Sequence, residues 1–105
     1  MKRFACHRLY VPDGTVFYRC IVCVADNGCY AGNVPLEEEQ AAVEWVGGVC
    51  VACPEGEVPL SGCTVAEVCH GICGMGTLTR WWIWKACRLP VGEEHTPVAV
   101  WRRIC

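Results

Sequence analysis

Apolar runs rich in β-branched and aromatic residues make up most of this chain, and the polar breaks between them fall at residues that make turns. Residues 3–11, RFACHRLYV, read as a strand that stops at Pro12-Asp13-Gly14, where Pro presets φ and Gly accepts positive φ. Residues 15–25, TVFYRCIVCVA, form a second, Val-rich strand ending at Asp26-Asn27-Gly28, a strong hairpin signal. A short returning segment, CYAGNVPL, follows. The run Glu37-Glu38-Glu39-Gln40 reads as a solvated face with room for one helical turn. Strand composition resumes in VEWVGGVCVAC, where Gly47-Gly48 suggests a bulge or a close approach, and it stops at Pro54.

The period changes once. In SGCTVAEVCHGICGMG, Val65, Val68, Cys69 and Ile72 recur at helical spacing. Thr64 is placed to cap, Glu67 stands three residues on as in a capping box, and Gly74 can close the helix. One short helix is expected near 64–73. Residues 77–89, TLTRWWIWKACRL, return to strand character. Trp82 and Trp84 share one face and Trp81 and Ile83 the other, so both faces should be covered. After a turn at Leu89-Pro90-Val91-Gly92, PVAVWRRIC supplies a last strand. The expected fold is mainly β: a small β-sandwich or partly open barrel of five to six strands with one short helix.

Length and charge narrow the function classes. A chain of 105 residues makes one domain, 1–105, able to bury a single core. With 53% apolar residues, 19% charged residues and a net charge of -2, it lacks the basic excess that phosphate backbones attract, so nucleic acid is not an expected partner. No run approaches the roughly 18 apolar residues of a membrane helix. The start, MKRFACHRLY, is interrupted by His7 and Arg8 instead of carrying the continuous apolar stretch of a secretion signal. The cytoplasm is the expected location, and there the thiols should stay reduced.

Eleven cysteines supply the candidate chemistry. Cys20-x-x-Cys23 and Cys50-x-x-Cys53 have the spacing of a four-thiolate zinc site. A zinc knuckle needs a tight turn within each pair, however, and Ile-Val and Val-Ala are strand residues. On an extended chain, residues three apart face opposite ways. Val49, Val51 and Cys53 should then line one face, with Cys50 and Ala52 on the other. Buried packing thiols are the expected reading, with zinc on Cys20, Cys23, Cys50 and Cys53 as the alternative. On the expected helix, Cys69 and Cys73 share a face. His70 is turned about 100° from Cys69, a poor geometry for a Cys-His nucleophile pair.

The strand and turn order of residues 3–53, closing in EWVGGVCVACP, resembles the small composite β domain of amidohydrolase-like metal-dependent hydrolases. In that family the chain leaves the domain through a Pro-Gly turn into a metal-binding His-x-His strand and returns after a catalytic barrel. Here Cys53-Pro54-Glu55-Gly56 stands at the exit, no His-x-His follows, and the short helix and closing strands occupy the barrel's place. The resemblance implies a β domain of the kind that supports an enzyme without supplying its metal ligands. The resulting expectation is a non-catalytic module acting through protein contacts or self-association as a homo-oligomer, with Trp81, Trp82 and Trp84 as interaction surface and no cofactor. The alternative is a small zinc-binding or thiol-redox protein.

Overall fold

The computed structural model describes residues 2–11, 15–36, 43–56, 58–72, 80–93 and 95–104. Strand β1 (Lys2–Tyr10) pairs antiparallel with β2 (Val16–Val24), from Lys2 opposite Val24 to Tyr10 opposite Val16. The Val11 amide donates to the Thr15 carbonyl at 3.1 Å and closes the hairpin. Its tip, residues 12–14, lies outside the described residues, as does the acidic run at 37–40. The second turn forms at Asp26-Asn27-Gly28 as its composition demands. Gly28 takes φ +85°, its amide donates to the Ala25 carbonyl at 2.9 Å, and the Asn27 side chain accepts from the Cys29 amide. The chain then returns along β2 as β3 (Tyr30–Pro35).

The expected strand through 43–53 is two strands. β4 (Val43–Trp45) and β5 (Val49–Pro54) both run parallel to β1, one after the other along the same edge. Arg3 to Ala5 pair with the first and Arg8 to Tyr10 with the second. Gly47 and Gly48, at φ +69° and +66°, make the break, in a region of φ that side chains disfavour. β6 (Trp81–Ala86) adds antiparallel to β5, and β7 (Trp101–Arg103) to β6. Among the described residues the sheet therefore has seven strands in the order β3-β2-β1-β5-β6-β7, with β4 beside β1. The division at the two glycines accounts for the strand beyond the expected five to six. The sheet is mixed and curls until β3 approaches β6, but it does not close.

Helix α1 (Val65–Ile72) starts where expected. The Thr64 hydroxyl accepts from the Glu67 amide at 3.1 Å, and the Glu67 carboxylate accepts from the Thr64 amide at 3.0 Å. That reciprocal pair satisfies two of the donors a helix start leaves free. Gly74 and Cys73 fall outside the described residues. The helix is far too short to cross a membrane, and no described helix is long and apolar enough to do so.

Two cores lie on the two faces of the sheet. The inner one, within the curl, contains Phe4, Cys6, Leu9, Cys20, Val22, Cys50 and Ile83. The outer one, under α1, contains Val49, Val51, Cys53, Val65, Val68, Ala86 and Val98. β5 feeds both by simple alternation, Val49, Val51 and Cys53 outward and Cys50 and Ala52 inward, as the sequence pattern predicts. β1 does not alternate throughout. Phe4 and Cys6 face inward and so does Leu9, an odd step that displaces the pattern at His7-Arg8.

Candidate functional site

The displaced step in β1 has a counterpart in each neighbouring strand. On β2, Phe17 packs on the inner core and so does Cys20, with the change at Tyr18-Arg19, where Arg19 adopts φ +48°. The β1-β2 ladder registers Cys6 with Cys20 and Arg8 with Tyr18, skipping His7 and Arg19. On the other side of β1 stand Gly47 and Gly48. Three adjacent strands thus bend along one line. A backbone that flips phase in one strand exposes unpaired amides unless its neighbours change with it, so the three irregularities form one unit.

Hydrogen bonds and rings fix this corner. The Gly48 carbonyl accepts from both the His7 and Arg8 amides, at 3.1 and 3.2 Å, while the Gly48 amide donates to His7 Nδ1 at 2.8 Å. With Nδ1 accepting, a neutral imidazole carries its proton on Nε2. The Val46 and Gly47 amides share the Ala5 carbonyl, at 2.9 and 3.0 Å, and Lys85 Nζ donates to the Val46 carbonyl at 2.8 Å. The Trp45 indole meets the His7 ring edge-on, centroids 4.9 Å apart. A Cβ on Gly47 would lie 3.2 Å from the Trp45 Nε1, so a larger residue there would make the indole shift.

The two sides of the corner differ in chemistry. Outside, Trp45 is 57% exposed and Tyr18 64% exposed, with the Arg8 guanidinium 5.3 Å above the Tyr18 ring. Inside, Cys6, Cys20 and Cys50 are buried together. The Cys6 and Cys20 sulfurs are 3.8 Å apart as free thiols. The Cys20 thiol draws Cys6 toward ionisation, but contact with the Cys50 thiol and burial more than reverse this, and Cys6 is held well above the ordinary thiol range. Cys20 is pushed higher still by the Cys6 thiol and by burial. Both stay protonated at neutral pH in the folded chain, which makes them poor nucleophiles.

The zinc alternative divides between the faces. Cys20 and Cys50 belong to the inner core, Cys53 to the outer, and Cys23 is half-buried on β2 beyond both. Strand alternation keeps the members of each pair apart. Among the described residues no group of three or more His, Cys, Asp or Glu side chains is placed to hold a metal ion. On α1, Cys69 packs against the outer core and His70 is exposed.

The three tryptophans of β6 are all half-buried. Trp81 packs against the inner core, Trp84 against the outer, and Trp82 lies beneath the Arg103 guanidinium, 4.2 Å from its ring centre. The most exposed aromatic surface among the described residues sits instead at Trp45 and Tyr18, which the sequence reading did not select. Alternation after the inward Phe17 already turns Tyr18 outward, whereas Trp45 takes its place beside His7 through the pairing of β4 with β1. The thiol cluster did leave a signal: a hairpin centred on Asp13 sets Cys6 opposite Cys20. Compared with known family models, curated proteins and solved structures, the chain matches none.

Proposed function

We propose that this protein is a non-catalytic β module that acts through protein contacts and associates with itself. The observation that carries the reading is the outer side of the corner, where Trp45 and Tyr18 stand in solvent beside His7 and Arg8. Trp, Tyr and Arg are the side chains most enriched at the energetic centres of interfaces. A patch holding both aromatic faces and a guanidinium is complementary to itself: in a two-fold contact, the cation of one copy can meet the ring of the other. Trp82 of β6 and Arg103 of β7 repeat the same kind of pairing. On this reading the exit at Cys53-Pro54-Glu55-Gly56, which leads to α1, stands where a composite β domain would enter its barrel.

Sedimentation velocity over a concentration series tests this. A monomer-dimer equilibrium is expected, and Trp45→Ala should weaken it by about thirtyfold, the loss of a side chain worth about 2 kcal/mol at an interface centre. A mass that stays monomeric at every concentration removes self-association. An equilibrium untouched by Trp45→Ala moves it to another face.

A further inference from the structure

The inner thiols stand in a relation that buried packing does not require. Cys6 and Cys20 are direct cross-strand partners in the β1-β2 ladder, and their sulfurs approach to 3.8 Å. Directly opposed residues of an antiparallel pair have Cα atoms about 4.5–5.5 Å apart, inside the span a disulfide tolerates. Small rotations about the two Cα–Cβ bonds would bring the sulfurs to bonding distance with the ladder in place. Cys50, across β1 in the same core, is the third thiol of the group.

We propose that Cys6 and Cys20 are a disulfide site: the pair is joined when the chain folds in the presence of a small-molecule disulfide such as oxidised glutathione. Each cysteine gives up its proton and the two sulfurs share a new bond. The two electrons pass to glutathione disulfide, whose sulfur-sulfur bond breaks and which leaves as two glutathione thiols. The link spans the ladder one residue before the skipped step at His7 and Arg19, so it would pin the hairpin beside the corner. Exposure of 1% and 2% at the two thiols confines the reaction to the folding chain or to an opened sheet, and shields the finished bond from reductant. The proposal is independent of the self-association reading.

The experiment is to refold the reduced full chain in a glutathione redox buffer, trap free thiols by alkylation, and map linked peptides without reduction. The compact fraction should carry Cys6 joined to Cys20 and melt on the order of 10 °C above the fully reduced protein, since a bond closing a hairpin-sized loop restricts the unfolded chain. Cys50→Ala should keep the link, and Cys20→Ala should lose it with the gain in melting temperature. A dominant Cys6-to-Cys50 link overturns the proposal. So does a refolded chain whose Cys6 and Cys20 remain free while other cysteines are oxidised, or a chain that regains its fold only under reducing conditions.

Discussion

The inner and outer cores are filled on different terms. Inside the curl, the buried residues among those described all come from strands of the one sheet, and they include Phe4, Leu9, Val22, Ile83 and three thiols. Outside, the wall opposite the sheet is assembled from a capped two-turn helix and irregular segments. Among the described residues those segments are joined by the Gly62 amide donating to the Val98 carbonyl, the Val98 amide donating to the Cys63 carbonyl, and Ser61 donating to the Ala99 carbonyl at 2.7 Å. That side also buries the indole nitrogens of Trp84 and Trp101 with no hydrogen-bond partner among the described residues. The contrast teaches that a sheet can satisfy itself by curling, whereas its outer face depends on whatever the loops lay across it. Opening of the outer side before the inner follows from that difference.

Paired truncations put the largest load on this comparison. Leu9→Ala should cost about 2–5 kcal/mol in urea denaturation, and Val65→Ala about 1–3 kcal/mol. In hydrogen exchange the second should release the α1 amides while leaving the β1-β2 ladder protected. Equal losses of ladder protection in both variants would mean that the two cores open as one.

Titration separates the cores next. Cys6 and Cys20 are both raised in the folded state, so above the unfolded thiol value, about 8.5, the unfolded chain releases protons that the folded chain keeps. Stability from these groups is fully present below that pH and declines as pH rises, by about 1.4 kcal/mol per pH unit for each thiol. Urea midpoints measured from pH 8 to pH 10 should fall, and Cys20→Ala should flatten the slope. A slope unchanged by that substitution would assign the effect to thiols outside the inner core.

The corner between the two cores gives the smallest and most specific effect. Gly47→Ala should destabilise by about 1–2 kcal/mol from the left-handed backbone alone. Contact with the Trp45 indole at 3.2 Å adds to this, whereas an added Cβ at Gly48 would meet only the Lys85 side chain at 3.6 Å. Thermal melts of Gly47→Ala, Gly48→Ala and Gly47→Ala with Trp45→Ala should rank the first as worst and show relief in the double variant. Equal melting of the two single variants would dissociate Trp45 from the bend.

Much of this architecture follows from short stretches of chain. The Asp26-Asn27-Gly28 turn, the Thr64-Glu67 cap and the two-sided alternation of Val49 to Cys53 each depend on a few consecutive residues, whose conformational preferences act locally wherever the segment ends up. The same alternation correctly separated the members of each Cys-x-x-Cys pair. The bend had no such local cause. Period-two reading carries Phe4 and Cys6 on to Arg8, and the switch to Leu9 needs the Gly48 carbonyl, 40 residues away, to accept two amides at once. The register of the hairpin already sets Cys6 opposite Cys20, whereas Cys50, and Trp45 beside His7, arrive only through pairing of β1 with β5 and β4. Hydrogen bonds between strands distant in the chain bring these residues to one corner, and such bonds exist only once the sheet has assembled.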